Sequence, residues 1–522
     1  MLNIVNKIKY TFTVKIIFLL LFQITILLYC SYNKNAFNVD ELCTYLFSND
    51  IYTVWTTPQN FLNKWTTSEY WNNALTVQVS NIFRFDAIYD NNKHDVHPIL
   101  YYILFHIASA FDIGHFSKYP GLILNIILMC ITQIFVYKLV SRLINNKIYS
   151  LLCCLIYCLS LCSVNTALIL RMYMLLTCIC IISIYIHYLI ITDNKIILLF
   201  YHYIIYTSGI LTHYYFFIFG FFISFYVSLY LLLFKRKILI IRYVLASTLS
   251  LFTAYFIFPP MYKQIIGGGY RGNEAFNNLL NISIWERISL YLNCINKSFP
   301  IYLLLAIIVC IILILIIKYK FLFIISNNIL YLRIKNVKNI FKLDTNSIFQ
   351  IIILLLCFSS FFLISKISAY VDDRYIMPLY PIFIIIFTCF LSKINNKYFI
   401  IISLAIIMFS TCYNYKHYSF KWSYNNYSSM LNYFYKYKHD TCIAIIDNKN
   451  IWHYISTIKI LRNYKEIYVM TSDNIDCKIF NKCSAYTLLI DKNLLKINKF
   501  LAENKNIKKI YNDDYVFVYN KF

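Results

Sequence analysis

The chain has few charged residues for its length. Only 14% of its 522 residues are Asp, Glu, Lys or Arg, whereas 60% are hydrophobic, and the mean hydropathy is +0.60. A soluble protein of this size needs more charge on its surface, so a single soluble domain is excluded. The long apolar runs between short polar clusters indicate an α-helical polytopic membrane protein.

Acidic residues are the scarcer charged type. The chain has 23 Asp and Glu against 48 Lys and Arg, which gives a formal net charge of +25. The basic residues lie in short clusters between apolar runs, for example Lys235, Arg236 and Lys237, and not along a soluble face. This pattern argues against nucleic acid as a partner and is typical of cytoplasmic loops that set membrane topology.

The 17 cysteines lack the spacing of a zinc site. Ten of them lie inside apolar runs, where a thiol acts as a small hydrophobic side chain. In the C-terminal segment, Cys477 and Cys483 form a disulfide if that segment faces an oxidising compartment, and otherwise remain thiols. Both alternatives stay open at the level of the sequence.

Apolar segments long enough, or nearly long enough, to cross a bilayer as helices of roughly 20 residues recur along the chain. The predicted spans are 13–31, 119–140, 149–166, 171–191, 196–212, 214–234, 238–259, 300–317, 349–367, 375–392 and 398–412. Lys7 and Lys9 precede the first span, which places the N-terminus in the cytoplasm and makes that span an uncleaved anchor. In this topology most of the basic residues before residue 413 lie in the cytoplasmic loops. Asp193 and Asp344 are the only acidic residues predicted on that side.

Two apolar stretches are not expected to cross the membrane. Residues 99–111 are too short and predict a helix at the outer interface. Residues 321–332 predict a segment at the cytoplasmic interface, and if they spanned, every later loop would change sides.

The predicted fold is therefore a polytopic membrane protein of about eleven transmembrane helices with a small C-terminal α/β domain. Residues 1–412 form the membrane domain, and residues 413–522 form the soluble domain, which lies outside the cell by parity. Strand-like and helical patterns alternate in the soluble domain. The strand-like segments are 442–447, 466–470, 485–491 and 516–519, and the helical segments are 449–461 and 493–503.

The predicted outer loop 31–118 holds most of the acids of the membrane domain. Of the fourteen Asp and Glu before residue 413, eight lie in this loop, and Asp40 and Glu41 follow soon after the first span. The pair can be solvated acids at a helix start, where the helix dipole favours carboxylates. It also lies where a polar substrate and a lipid-borne substrate meet, so Asp40 and Glu41 are candidate catalytic residues.

Three arginines lie beside apolar runs at predicted outer positions: Arg171, Arg271 and Arg374. Each can be an interfacial side chain that extends to water, but together with the acids they suit clamps for a phosphate group. Arg271 belongs to GGGYRGNE, which lacks the strand and helix that flank a phosphate-binding loop, so a flexible loop is expected there.

The segment DVHP contains Asp95 and His97 just before an aromatic helical run. The structural interpretation is a turn that leads into a helix. The functional interpretation is a substrate or metal site, although two ligands are too few to define a metal centre.

Taken together, these segments resemble the GT-C-type membrane glycosyltransferases, in particular the family 39 branch related to protein O-mannosyltransferases and the bacterial aminoarabinose transferases. The resemblance covers about residues 10–412. Its four parts, in the expected order, are Asp40-Glu41, D-x-H-P-x-L-Y-Y-x-L-x-H from Asp95 to His106, R-M-Y-x-L-L from Arg171 to Leu176, and D-D-R-Y-x-x-P-x-Y-P from Asp372 to Pro381.

The resemblance implies inverting transfer of a sugar from a polyprenyl-phosphate donor to an acceptor hydroxyl. It implies Asp40 as general base with Glu41 in support. Asp95 and His97 would shape the acceptor and sugar site, and Arg171 and Arg374 would hold the lipid phosphate. Further expected substrate-binding residues are Tyr173, Arg271, Asp373 and Tyr375.

The sequence departs from this family at two positions. Ile169 stands where relatives commonly carry a Glu two residues before the Arg of R-M-Y, and Ile99 replaces the second Pro of H-P-P. Because a carboxylate is missing, a divalent metal is a possible cofactor and not an implied one.

The functional hypothesis is a glycosyltransferase of the plasma (cell inner) membrane with an extracytoplasmic active site. Its partners are the lipid bilayer, the polyprenyl-phosphate sugar and a glycan, lipid or protein acceptor. A polysaccharide polymerase or ligase is the alternative among enzymes. A transporter is a further alternative, which predicts ionisable residues near the middle of the spans and an internal repeat; the sequence has few such charges and no obvious duplication.

Overall fold

The computed structural model describes residues 2–51, 54, 57–266, 269–319, 321–326, 329–334, 344–394, 396–418, 440–492, 494, 507–512 and 516–521. The chain divides into two compact units, each discontinuous in sequence. The helical unit comprises Met1–Cys30 and Asn125–Lys421, and the loop–tail unit comprises Ser31–Leu124 and Trp422–Phe522. Loop 31–118, predicted as part of the membrane domain, belongs to the same unit as the C-terminal segment.

Most of the described chain is helical. The α-helices, in chain order, are α1 (Leu2–Asn33), α2 (Val39–Asn49), α3 (Ser68–Leu75), α4 (Phe85–Asn92), α5 (Leu100–Ser109), α6 (Tyr119–Ile144), α7 (Lys147–Leu159), α8 (Leu161–Leu168), α9 (Tyr173–Thr192), α10 (Ile197–Ile210), α11 (Tyr215–Leu233), α12 (Lys237–Ile257), α13 (Met261–Ile265), α14 (Tyr270–Asn281), α15 (Ile284–Ser298), α16 (Ile301–Tyr319), α17 (Thr345–Ile367), α18 (Tyr380–Leu391), α19 (Lys397–His417), α20 (Tyr454–Leu461) and α21 (Cys477–Lys482). The strands are β1 (Trp65–Thr67), β2 (Phe321–Ser326), β3 (Ile329–Ile334), β4 (Thr441–Ile446), β5 (Glu466–Thr471), β6 (Tyr486–Asp491), β7 (Ile507–Asn512) and β8 (Val516–Lys521).

Seven helices in the described part of the chain are long and apolar enough to cross a membrane. They are Thr13–Asn33 within α1, and α6, α9, α11, α12, α17 and α19. Two further crossings are counted if each bent pair of helices is one span: α7 with α8, which meet at 61°, and α15 with Ile301–Cys310 of α16, which meet at 99°. The long apolar helices are those of a membrane-embedded protein, as the composition predicts.

Of the eleven predicted spans, seven coincide with these long helices and two with the bent pairs. The predicted spans 196–212 and 375–392 coincide with shorter apolar helices, Ile197–Ile210 and Met377–Leu391. A helix rises about 1.5 Å per residue, so these helices are shorter than a bilayer core of about 30 Å. Hydropathy averaged over a window does not register where a helix ends or bends.

β2 pairs with β3 in antiparallel register, from Phe321 opposite Ile334 to Ser326 opposite Ile329. The described residues of the predicted interfacial segment 321–332 are therefore extended.

The helical unit has two ends with different chemistry. At one end, Arg142 lies 3.2 Å from Asp193, and Tyr188 donates a hydrogen bond of 2.9 Å to Asn346. These contacts join the last turns of α6 and α9 to the start of α17. The basic residues of the predicted cytoplasmic loops follow these ends of α6 and α9. The other end of α9 begins at Tyr173 and carries the candidate site.

The loop–tail unit is built on a six-stranded sheet of order β1-β5-β4-β6-β8-β7. β4 is parallel to β5 and β6, whereas β1, from the first loop, adds to β5 in antiparallel register. The predicted small C-terminal sheet is confirmed. The predicted helix 493–503 lies almost entirely outside the described residues, and Cys483 is a free thiol.

The first loop is closed at its base by Lys118, whose ammonium group donates hydrogen bonds to the carbonyls of Tyr32, at 3.0 Å, and of Lys34. Near this closure the hydroxyl of Tyr45 donates to the carbonyl of Ser117 at 2.7 Å. The two ends of loop 31–118 are therefore joined by specific bonds.

Candidate functional site

The helical unit gathers aromatic residues from distant segments at the end where α9 and α11 begin. The rings of Tyr173 and Tyr375 lie 6.5 Å apart, and that of Tyr375 lies 5.5 Å from Tyr215. His213, in the turn between α10 and α11, lies 5.7 Å from Tyr173 and 4.8 Å from Tyr215. The predicted site residues Tyr173 and Tyr375, about two hundred positions apart in sequence, are thus brought together.

Arg271 approaches this aromatic group from α14. Its guanidinium carbon lies 5.3 Å from the ring centre of Tyr370, within the range of a cation–π contact, and its side chain pairs with Glu274 at 2.5 Å. The Arg271 side chain remains about one-third exposed. A guanidinium stacked on a ring keeps N–H donors along its edge that can bind an anion.

Gly269 and Gly272, on either side of Arg271, lie where α13 and α14 come close together. A Cβ atom at Gly269 would come 2.7 Å from the carbonyl oxygens of Lys263 and Gln264, and one at Gly272 would come 2.1 Å from the carbonyl oxygen of Ile265. Only glycine allows the end of α13 to contact the start of α14 so closely. Gly267 and Gly268 lie outside the described residues.

The turn Asp372 to Tyr375 is a single 3-10 turn capped by Asp372, whose side chain accepts from the Arg374 backbone N–H at 3.1 Å. The same carboxylate lies 3.8 Å from the Arg374 Nε, so Asp372 orients both the backbone and the guanidinium of Arg374. The Arg374 side chain is partly exposed, at 16%.

Asp373 has a different environment from Arg374. It is buried, at 1% exposure, and accepts a hydrogen bond of 2.8 Å from Ser298 at the end of α15. Its burial favours a positioning role that attaches the 3-10 turn to the bend between α15 and α16. The substrate-binding role predicted for Asp373 would require this carboxylate to become accessible.

Arg171 lies in the turn between α8 and α9, two residues before Tyr173, and its side chain is buried. The same turn is held by Asn125, whose amide donates to the carbonyl of Ile169 at 2.7 Å. Ile169 is itself buried, at 1% exposure, so this position is part of the core.

An apolar groove of about 700 Å³ lies between helices of the helical unit. Its walls come from α11, α15, α16, α17 and α18 and include Ile288, Leu304, Phe358, Phe361 and Phe383.

Tyr291 connects the groove to the polar end of the unit. Its ring lies 6.4 Å from Phe361, which lines the groove, and its hydroxyl donates 2.9 Å to the carbonyl of Tyr370. The same hydroxyl also bonds Ser368 at 2.6 Å. One chain of contacts thus runs from the apolar groove through Tyr291 and Tyr370 to Arg271.

The acidic pair lies in the loop–tail unit at the start of α2. Asn38 is the N-cap: its side chain accepts from the Asp40 N–H at 3.0 Å, and the Glu41 side chain accepts from the Asn38 N–H at 2.8 Å. This reciprocal capping box is typical of the sequence Asn38-Val39-Asp40-Glu41.

Glu41 and Asp40 have separate environments. Glu41 is fully buried and pairs with Lys34, whose Nζ lies 2.9 and 3.1 Å from the two carboxylate oxygens. Burial lowers the pKa of Lys34, and Glu41 opposes that effect. Asp40 is only partly buried, so of the two carboxylates it has access to solvent. Glu41 anchors the helix start.

Asp95 and His97 form a pair in the same unit, with 2.9 Å between the Asp95 Oδ2 and the His97 Nδ1. Tyr102 also contacts this carboxylate, at 3.5 Å. The carboxylate orients the imidazole, as in many acid–base and ligand sites. Among the residues that the structure describes, no three or more His, Cys, Asp or Glu are grouped to hold a metal ion.

The predicted site residues are therefore divided between the two units. Asp40, Glu41, Asp95 and His97 belong to the loop–tail unit, and Arg171, Tyr173, Arg271, Asp373, Arg374 and Tyr375 belong to the helical unit. Lys34, Tyr291 and Tyr370 are not among the residues predicted for the site. Tyr370 could have been predicted, because it begins the outer turn that contains Asp372. Neither Lys34 nor Tyr291 belongs to any motif.

The fold and these clusters define a polytopic helical membrane protein with a mixed sheet joined to its first loop. A comparison of the sequence with protein-family models and with curated proteins finds no match.

Proposed function

We propose that this protein is a membrane glycosyltransferase that moves a sugar from a polyprenyl-phosphate donor to a hydroxyl of a cell-envelope acceptor. The observation that carries the proposal is the apolar groove, which Tyr291 and Tyr370 connect to Arg271. A lipid phosphate needs both parts: apolar walls for the prenyl chain and fixed cations for the phosphate.

The proposal includes a GT-C-like arrangement of about eleven crossings in the plasma (cell inner) membrane with the acceptor on the extracytoplasmic side. Eleven is reached if the seven long helices, both bent pairs and the short helices Ile197–Ile210 and Met377–Leu391 all cross. The basic helix ends near Arg142 support a cytoplasmic assignment for that side.

In the proposed reaction Asp40 takes the proton of the acceptor hydroxyl. The hydroxyl oxygen then forms a bond to the anomeric carbon as the bond from that carbon to the phosphate oxygen breaks, and the lipid phosphate leaves with the electron pair. Arg374 and Arg271 stabilise the charge that grows on the leaving phosphate. The partly exposed position of Asp40 at a helix start supports its role, because the helix dipole favours the ionised carboxylate that a base requires.

A transporter is the second candidate because of the two bent helix pairs. Asn165 of α8 donates 3.4 Å to Ser298, beside the bend between α15 and α16, so the two interrupted helices meet at a buried polar contact. Interrupted helices line the substrate sites of many transporters.

The test is an assay of purified protein in nanodiscs with a panel of radiolabelled polyprenyl-phosphate sugars and a mixed extract of envelope glycans and lipids. We expect Asp40→Asn to lower kcat by about 10²-fold or more, the usual size of a general-base contribution. Asp90→Asn is the matched control, because Asp90 is an exposed acid of the same loop paired with Lys93.

A second variant tests the phosphate clamp in the same assay. We expect Arg374→Ala to raise the KM for the lipid donor and leave the KM for the acceptor unchanged, whereas Arg142→Ala, at the opposite helix ends, changes neither. Full activity of Asp40→Asn would remove the base from the proposal. In proteoliposomes, entry of radiolabelled sugar into the lumen without a glycosylated product would favour the transporter.

A further inference from the structure

The C-terminal segment reaches the first loop through a strand pair. β1 lies along β5 with Trp65 opposite Tyr468, Thr66 opposite Ile467 and Thr67 opposite Glu466. The Thr66 hydroxyl donates to the Ile467 carbonyl at 3.1 Å. β1 covers the edge of the sheet that β5 would otherwise leave open.

A second contact involves Tyr454, the first residue of α20. Its side chain is 1% exposed and packs against the rings of Phe61 and Trp71, at 4.9 and 6.4 Å. Its hydroxyl donates a hydrogen bond of 2.6 Å to the carbonyl of Val54. The Tyr454 hydroxyl is therefore fixed to the segment that follows α2.

Val54 is in turn bonded to the end of α2. Its N–H donates to the Asp50 side chain at 2.7 Å, and Asp50 is the C-cap of α2. α2 has 11 residues, and Asp40 lies in its first turn. A short, buried helix moves as a rigid body, so a shift at Asp50 changes the position of Asp40.

We propose that the C-terminal segment positions Asp40 through Tyr454, Val54 and Asp50, which makes Tyr454 a positioning residue for the transfer reaction. The functional part of this inference rests on the proposed role of Asp40, whereas the mechanical link to α2 does not. The link couples residues that lie about four hundred positions apart in sequence.

Tyr454→Phe in the full chain removes only the hydroxyl that bonds Val54. Tyr464→Phe is the matched control, because Tyr464 is also buried in the C-terminal segment and its hydroxyl faces Thr487 of β6. The rate of hydrogen exchange in residues 39–50 tests the mechanical link to α2. The kcat and the KM values for donor and acceptor test the effect of that link on the reaction.

We expect Tyr454→Phe to raise exchange in α2 by about fivefold, the factor of one hydrogen bond, and to lower kcat by about tenfold with the donor KM unchanged. We expect Tyr464→Phe to change neither. Unchanged α2 exchange in Tyr454→Phe, or the same increase in both variants, would overturn the link. Raised exchange with an unchanged kcat would overturn the positioning role.

A disulfide between β1 and β5 tests whether a covalent tether can replace the hydrogen bond of Tyr454. Thr67→Cys with Glu466→Cys joins residues that face each other and are exposed, and in the Tyr454→Phe background it should restore α2 protection and kcat. Lys64→Cys with Glu466→Cys is out of register and should restore neither, and equal rescue by both pairs would contradict the strand register. If the unmodified protein transfers no sugar from any donor, the proposed function fails, but the exchange measurements still decide the link.

Discussion

His106 shows how the environment of one residue fixes its protonation state. Its Nδ1 lies 2.8 Å from the carbonyl of Ser48, and its Nε2 accepts from the Phe83 N–H at 3.1 Å. A carbonyl can only accept, so the imidazole must be neutral with the proton on Nδ1. Burial lowers the pKa of His106 from its ordinary value, although the bonds to the backbone oppose this effect. His106 ends the D-x-H-P-x-L-Y-Y-x-L-x-H motif, and in the structure it is part of the core of the loop–tail unit.

We expect this unit to lose stability as the pH falls below about 6.5, the pKa of a histidine in an unfolded chain. The unfolded chain then binds a proton that the folded His106 does not bind until its own lower pKa is reached, so the stabilisation is complete above pH 6.5 and lost below it. His106→Gln, which does not titrate, should flatten the dependence of the unfolding temperature between pH 8 and 5.5. His115→Gln is the control, since the His115 side chain is 80% exposed. Equal slopes for wild type and His106→Gln would contradict the assignment.

Helix α2 is anchored at both ends by bonds that its own sequence only partly encodes. The capping box is local and follows from Asn38 and Glu41. The buried pair with Lys34 and the contact of Val54 with Tyr454 come from outside the helix. On the same scale, α9, α11, α14 and the Asp372 turn present their ends to one another, so that one side of the helical unit collects the arginines and tyrosines.

Glu41→Gln tests the anchor at the start of α2. The amide can still accept from Asn38, but Lys34 loses the charge that compensates its burial, so we expect a loss of about 3 kcal/mol in the free energy of unfolding. The double variant Lys34→Met/Glu41→Gln should be more stable than Glu41→Gln alone, because the buried cation is gone. Denaturant titration monitored by tryptophan fluorescence measures the free energy of unfolding of the wild type, the single variant and the double variant. A double variant less stable than the single one would show that the ion pair does not account for the loss.

The whole molecule consists of two units, each made from segments distant in sequence. The Thr66 and Ile467 contact joins residues 401 positions apart, and the helical unit lies between them in the chain. Such long-range pairs form only after most of the chain has been synthesised. The loop that carries Asp40 therefore depends on the C-terminal segment for part of its fold.

Deletion of residues 422–522 should leave the long apolar helices inserted but expose loop 31–118. Loss of β5 and Tyr454 uncovers the backbone of β1 and the ring of Trp71, which is fully buried in the intact protein. We expect limited proteolysis to cut the truncated protein between residues 54 and 98 at least tenfold faster than the full chain. The cleavage rate rises because the loop opens locally more often. Cleavage near Lys235 in the helical unit serves as the internal reference, and a resistant loop in the truncated protein would show that the loop folds independently.

The sequence by itself determined the membrane class, the positions of most long helices and the alternation of strands and helices after residue 440. These features follow from local hydrophobic runs and periodicity, which depend on neighbours a few positions away. Only the tertiary structure decided that Glu41 is buried against Lys34, that Asp373 is internal, and that Tyr291 links the groove to Tyr370. It also decided which predicted spans are short or bent and that loop 31–118 shares a sheet with the C-terminal segment. These outcomes depend on partners far apart in the chain, and no local pattern records which distant side chain will complete a buried pair.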